Sequence, residues 1–306
     1  MPKTAPESEA TEHRPLVFAI AYRMLGSVAE AEDVVQEAFL RLHRARQGGV
    51  VVESPKAYLA ALATRIAIDQ LRSARVKRER YFGTWLPEPV LGEREPAMDQ
   101  KAERAESVSM AFMLVLEALS PVERAVFLLR EVFDYAYEEI AGIVQKSEEN
   151  CRQIFARAKR HIDAGKRRFE PSPDKRAEIA DRFFAACQAG ELSGLVEMLA
   201  ADAVFYGDGG GKAAAFVRPL AGADRVARVL AAIFTKLGAA GARFEQVEVN
   251  GQPGARITDA EGRLVAVWSL DTADGRVQCI RSVVNPDKLR HLGPVSELLA
   301  LPLRPQ

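Results

Sequence analysis

Apolar positions in the first 170 residues recur at helical spacing, and most of the runs have legible ends. Leu16 to Leu25 predicts a short amphipathic helix stopped by Gly26. The polar residues up to about Glu12 predict a mobile end. Ser27-Val28-Ala29-Glu30 is a capping box, and the helix it opens should bury Val34, Val35, Ala38, Phe39 and Leu42. The opposite face shows Asp33, Gln36, Glu37, Leu40 and Arg41, a polar surface with one exposed Leu that suits docking or plain solvation. Gly48-Gly49 ends this helix, and Ser54-Pro55 starts another with Pro where its missing N–H costs nothing. Its apolar stripe of Leu59, Leu62, Ala63, Ile66 and Leu71 fades into Arg72, Arg75, Lys77, Arg78 and Arg80. Tyr81 and Phe82 follow, and cations beside aromatics suit a nucleic-acid single strand.

Met110 to Leu119 reads as an apolar helix. A second capping box, Ser120-Pro121-Val122-Glu123, opens a helix through Phe133. Ile140, Ala141 and Val144 then mark a short helix broken at Lys146 and Ser147. Ser147 can cap the next one, with Glu148 and Glu149 in the first turn where the helix dipole favours acids. Cys151, Ile154, Phe155, Ala158 and Ile162 form its buried stripe. Gln153 and Arg160 point the other way, flanked by Arg152, Arg157 and Lys159. Two short helices with a tight turn, the second basic on its free face, suit a helix-turn-helix in the major groove. Arg can pair with guanine and Gln with adenine, while Lys mainly meets phosphate. An ordinary helical hairpin with a solvated basic face is the alternative.

The texture changes beyond Pro171-Ser172-Pro173. Helices over Ala177–Ala189 and Glu191–Leu199 precede strand candidates at Ala203–Tyr206, Phe244–Val249, Gly254–Thr258, Leu264–Leu270 and Arg276–Val284. A helix over Asp224–Leu237 interrupts them, and Asp259–Gly262 and Thr272–Gly275 read as hairpin turns. The fold class expected is a mainly α amino-terminal half followed by a small α+β domain with a curved sheet on helices.

The formal net charge is zero, so nothing attracts nucleic acid to the chain as a whole. Charge is local instead. Arg65 to Arg80 holds six basic and two acidic residues, and Arg152 to Arg168 seven basic and one acidic. Two separate basic patches suggest two localised phosphate contacts. Cys151, Cys187 and Cys279 are far apart and form no CxxC, so neither a disulfide framework nor a zinc site is indicated, and no cofactor is expected. No signal-peptide core or bilayer-spanning run is present, so the expectation is a cytoplasmic protein with no membrane partner. Gly83 to Met98 is a Pro- and Gly-rich linker carrying Trp85-Leu86-Pro87-Glu88-Pro89, a stiff segment that could dock at low entropic cost or fold back on a helix.

Three stretches, Asp33–Ala45, Ser54–Arg80 and Ala118–Ile162, together resemble regions 2 and 4 of extracytoplasmic-function (ECF) sigma factors. The resemblance implies core RNA polymerase and promoter DNA as partners. Asp33, Gln36, Glu37, Leu40 and Arg41 would dock on the polymerase. Asp69, Arg72, Arg75, Lys77, Arg78 and Arg80 would act at the minus-ten element, and Arg152, Gln153, Arg157, Lys159 and Arg160 at the minus-thirty-five element. The second half resembles a SnoaL-like cone domain, related in fold to ketosteroid isomerases. A subgroup of sigma factors fused to such a domain is marked by WLPEP (Trp85 to Pro89), DGGGK (Asp208, Gly209, Gly210, Gly211, Lys212) and NPDKL (Asn285, Pro286, Asp287, Lys288, Leu289). All three motifs stand here, and the resemblance implies that the fused domain regulates the sigma half. The division expected is 1–82 for region 2, 83–107 for the linker, 108–170 for region 4, 174–290 for the cone and 291–306 for a tail.

The glycines let backbone approach closely, so the linker motif is expected to dock near Asp208–Lys212 and Asn285–Asp287. The tail's apolar piece from Ser296 could touch the linker as well. A phosphate-cradling loop and a plain surface turn are the competing readings of DGGGK. Other functions stay open. A repressor working without polymerase is one, and a two-domain regulator sensing a small-molecule ligand is another. An enzymatic cone would use Asp208 or Asp271 as a base, but no His lies between Asp174 and Lys288 and no nucleophile–base pair is visible.

Overall fold

The structure, a computed structural model, describes residues 5–92, 107–165 and 172–300. It divides into two compact units, one built from Met1–Glu79 with Phe112–Lys166 and the other from Arg80–Ala111 with Arg167–Gln306. The linker is therefore grouped with the carboxy-terminal half.

The first unit opens with helices α1 (Ala5–Leu25), α2 (Val28–Gln47) and α3 (Pro55–Glu79). α1 begins well before Leu16, so the polar start read as a mobile end is helical from Ala5. Ser27 caps α2 by accepting the Glu30 N–H at 3.2 Å, and Ser54 accepts the Ala57 N–H at 3.3 Å at the start of α3. The three helices pack on Ile20, Met24, Val34, Val35, Ala38, Leu42, Leu59, Ala63 and Ile66. Phe39 and Leu62, expected in the core, are half-buried.

α4 (Met110–Leu116) and α5 (Pro121–Phe127) follow. The helix expected to run evenly to Phe133 widens into a π-helical stretch over Leu128–Val132. The Ser120–Glu123 capping box is formed in both directions, at 3.0 and 3.4 Å. α6 (Tyr137–Val144) ends at Gln145, whose φ of 55° turns the chain, and Ser147 then caps α7 (Glu148–Gly165). Val126, Leu129, Ile140, Ile143, Cys151 and Ile154 make the core of this helix-turn-helix.

Polar contacts tie the parts of this unit together. The buried Arg124 guanidinium donates to the Met24 carbonyl at 2.6 Å, the Leu116 carbonyl at 3.1 Å and the Glu117 carboxylate at 2.8 Å. Glu117 also takes Arg78 at 2.5 Å. Arg65 donates to the Gly142 and Ile143 carbonyls near the end of α6, at 2.8 and 2.9 Å, in the manner of a C-terminal cap.

The second unit continues with α8 (Pro173–Ala189), α9 (Leu192–Met198), β1 (Leu199–Asp208), β2 (Leu220–Ala221) and α10 (Ala223–Ala239). β3 (Arg243–Val249), β4 (Gln252–Thr258), β5 (Leu264–Ala273), β6 (Arg276–Val283) and α11 (Pro286–Leu289) complete it. The sheet runs β2-β1-β6-β5-β4-β3, with β1 and β6 parallel and the other pairs antiparallel. One face packs on the helices through Phe183, Phe184, Leu230 and Phe234 against Phe205, Trp268 and Ile280. The rings of Phe205 and Phe234 meet Trp268 edge-on at 5.8 and 5.5 Å, so aromatic side chains fill the cone. β5 is buried along its whole length, so both faces of the sheet are covered there.

Candidate functional site

A single carboxylate gathers the three motifs of the second unit. Asp208 is the last residue of β1 and is fully buried. It accepts the Leu86 N–H at 2.8 Å, the Tyr81 hydroxyl at 2.5 Å and the Lys288 ammonium at 2.7 Å. A buried charge persists only when paired and hydrogen-bonded, and this one has both kinds of partner. Lys288 is itself buried and also donates to the Leu86 carbonyl. The rings of Trp85 and Tyr81 lie over its ammonium, with centroids 4.5 and 4.8 Å away. Trp85 thus meets a caged cation, and Leu86 is the apolar anchor, fully buried. Burial, and then the charge of Asp208, raise the Tyr81 hydroxyl well above the ordinary phenol range, so it stays a donor.

The glycines make room for this arrangement. Gly210 has φ 57°, and a β-carbon there would run into the Asn285 amide. Asn285 donates to the Tyr81 oxygen at 2.8 Å, accepts the Asp287 N–H at 3.1 Å to cap α11, and sends its own backbone N–H to the Asp208 carbonyl at 2.9 Å. Lys212 closes the loop on Asp287 at 2.5 Å.

Further along, Pro87, Glu88 and Pro89 are buried. His291 Nε2 donates to the Pro89 carbonyl at 2.8 Å. Asn250, in the Asn250-Gly251 turn between β3 and β4, donates its N–H to the Val90 carbonyl at 2.8 Å and accepts the Val90 N–H at 3.1 Å. Leu91 bridges to Val249. The linker therefore runs from the end of β1 to the end of β3. His291 and Asn250 carry no role in the sequence reading, and Tyr81 and Lys288, though part of the patterns read there, are not expected from sequence at the linker contact. Only the Asn-Gly pair between two strand candidates carried a local signal. Tyr81, read as a surface to stack a base, has its hydroxyl committed to Asp208.

The other candidates lie on the first unit. Asp33, Gln36, Leu40 and Arg41 are exposed on one side of α2, with Glu37 half-buried and paired to Arg41 at 2.6 Å. Leu40 is 42% exposed. On α3, Asp69 and Arg72 are exposed and paired at 3.0 Å, and Arg78 is held by Glu117. Arg75 and Lys77 fall outside the residues whose side chains are described. Arg80, just past α3, is exposed. On α7, Arg152, Gln153, Arg157, Lys159 and Arg160 all face solvent. Arg152 pairs with Glu148 at 2.8 Å, Arg157 with Glu123 at 2.6 Å and Lys159 with Glu131 at 2.8 Å. Glu123 sits below the usual carboxylate range: partial burial pushes it up, but hydrogen bonds from Ser120 and Arg157 outweigh that.

Residues 10–76 match the Sigma-70 region 2 family, residues 109–162 match Sigma-70 region 4, and residues 180–284 match the SnoaL-like domain family. The chain is 36% identical over 305 residues to the ECF RNA polymerase sigma factor SigJ of Mycobacterium tuberculosis, covering 96% of each. It belongs to the ECF sigma factors. It is also 30% identical to a probable ECF sigma factor, SigI, of the same species, over 90% of this chain and 92% of the relative. The crystal structure of the M. tuberculosis ECF sigma factor SigJ superposes with a TM-score of 0.73 at 31% identity, covering 96% of this chain and all of that one. Sigma factors bind core RNA polymerase and promoter DNA, so these are the partners of this sigma factor too. Its relatives are initiation factors rather than enzymes. Among the described residues no helix is long and apolar enough to cross a membrane.

Within the SnoaL-like domain, an open groove of about 780 Å³ is lined by Arg182, Glu191, Glu197, Asp274 and Arg276. The two aspartates considered as a base are each held by a cation, Asp208 by Lys288 and Asp271 by Arg281 at 2.6 Å.

Proposed function

We propose that the SnoaL-like domain regulates the sigma half of its own chain by gripping the linker between regions 2 and 4. The observation that carries this reading is the buried Asp208 carboxylate, which takes the Leu86 amide, the Tyr81 hydroxyl and the Lys288 ammonium together. A tether that joins two DNA-reading parts governs how well one contact promotes the other. Holding Trp85 to Pro89 on the domain shortens the free tether and so sets that coupling. Asp208 to Lys212 and Asn285 to Asp287 are the receiving side.

In the sigma half, Asp69, Arg72, Arg75, Lys77, Arg78 and Arg80 serve the minus-ten element. Arg152, Gln153, Arg157, Lys159 and Arg160 read the minus-thirty-five element, and Asp33, Gln36, Glu37, Leu40 and Arg41 meet the polymerase. Carboxylate partners on Arg78, Arg152, Arg157 and Lys159 hold these cations until phosphate replaces them. The SnoaL-like domain has no catalytic role in this reading, because both of its candidate bases are neutralised by cations. The site of action is the cytoplasm, where polymerase and promoter lie.

The test is run-off transcription with core polymerase, comparing the full chain with Leu86→Ala, Asp208→Asn and a chain ending at Pro171. Each should change promoter output by several-fold or more. Wild-type output from all three would refute regulation through the linker. Failure of even the wild-type chain to direct any start site would remove the promoter assignments as well.

A further inference from the structure

Next to the gripped linker, three large apolar side chains stand in solvent. Phe82 is 54% exposed, Phe216 41% and Val217 52%. They belong to one neighbourhood. The Phe82 ring lies 3.4 Å from where a β-carbon on Gly211 would stand, and a β-carbon on Gly83 would lie 3.7 Å from the Val217 α-carbon. Phe216 is steadied from behind by Phe205, edge-on at 6.0 Å. Arg80 and Arg218 are exposed and form no ion pair among the described residues, while Lys212 is taken by Asp287.

The grip on the linker accounts for Tyr81 and Trp85 but not for this patch. Tyr81 hydrogen-bonds Asp208 and Trp85 covers Lys288, whereas Phe82 and Phe216 spend much of their surface on water. Exposed aromatics grouped in this way mark a binding surface. Arg80 and Arg218, each two residues along the chain from one of these rings, are exposed cations with no ion pair among the described residues, which favours a polyanion over the apolar face of another protein. Aromatic rings beside unpaired guanidiniums are the chemistry that holds single-stranded nucleic acid, because every base has a π-face and every linkage a negative charge.

We infer that Phe82 and Phe216 form a stacking platform for unpaired bases of opened promoter DNA, with Arg80 and Arg218 meeting the phosphates. The SnoaL-like domain would then supply part of the DNA surface through the loop after its glycines. The inference rests on the reading that the basic end of α3 acts at the minus-ten element, since Phe82 follows Arg78 and Arg80 in the chain.

The experiment measures binding of a labelled oligothymidylate to holoenzyme made with the full chain, with core polymerase alone as the blank. Phe82→Ala with Phe216→Ala should weaken single-strand binding by about tenfold or more, the scale of losing one or two base stacks. Affinities for a duplex and for core polymerase should stay unchanged. Phe82→Leu with Phe216→Leu keeps the apolar volume but removes the rings, and should lose as much as the alanine pair. Arg218→Ala should reduce the salt slope by about one. Unchanged single-strand affinity would overturn the platform, and so would an equal loss of polymerase affinity, which would assign the patch to a protein contact. Arg72→Ala separates the two layers. If it weakens single-strand binding while the Phe variants do not, only the platform fails; if neither does, the minus-ten reading of α3 fails with it.

Discussion

Asp208 shows how one side chain can hold a segment far away in the chain. A fully buried carboxylate is stable only while its donors stay in place, and Lys288 is the one that carries the opposite charge. Lys288→Ala should therefore destabilise the full chain by about 3–5 kcal/mol, read as a lower urea midpoint, because it strands a buried charge. Asp259 gives a pH test of the same kind. Partial burial pushes its carboxyl up, but hydrogen bonds from Ser296 and Arg263 with the charge of Arg263 bring it to about 2. Its folded value lies below an unfolded value of about 3.9, so its contribution is complete above that pH and fades as pH falls toward 2. The stability gap between the wild type and Asp259→Asn should be open at pH 5 and closed near pH 2. Lys288 is within reach of sequence reading as part of NPDKL, yet that reading places only Asn285, Pro286 and Asp287 at the contact. A lysine reads as a solvated charge until the fold shows what lies over it.

At the scale of elements, capped helix starts are legible, whereas α1, β1 and β5 extend beyond the positions that the pattern marks. Ser27, Ser54, Ser120 and Ser147 each stand at a helix start and accept a backbone N–H there. Ser120→Ala should cost about 1 kcal/mol by loss of the cap, measured by thermal melting. β1, in contrast, runs on to Asp208 and β5 to Ala273, because pairing with β6 continues past the alternating positions. The linker has no secondary-structure pattern of its own, yet its Val90 is hydrogen-bonded in both directions by Asn250. Leu86→Ala removes its buried anchor and should release Trp85, seen as a change in Trp fluorescence without loss of helix content.

For the whole molecule, order along the chain and grouping in space differ. Regions 2 and 4 flank the linker in sequence, but the linker is grouped with the SnoaL-like domain and the two regions with each other. Glu117 connects Arg78, near the end of α3, to the region 4 residue Arg124. Arg78 would have to leave Glu117 in order to meet DNA. Glu117→Gln should therefore raise promoter affinity, by about tenfold at most, since part-buried pairs contribute modestly. A gel-shift titration with holoenzyme checks this, and a fall in affinity would refute it. Promoter binding should also weaken steeply with salt, with a slope that shallows when Arg152 or Arg157 is changed to Ala.

The sequence by itself determined the kind of protein and the order of its parts. Helix periodicity, capping residues and local runs of charge are properties of neighbouring residues, and the family resemblance rests on such local strings. It also named the three motifs of the linker contact. Only the tertiary structure decided that they converge on one carboxylate, that Tyr81 and Lys288 complete it, and that Phe82 and Phe216 are left in solvent. Those outcomes depend on residues such as Tyr81 and Asp208, which lie far apart along the chain. Asp208 meets Asn285 and Lys288 because β1 pairs with β6 and the chain turns after Val283, and Tyr81 joins them through its side chain; no pattern within any one segment shows this.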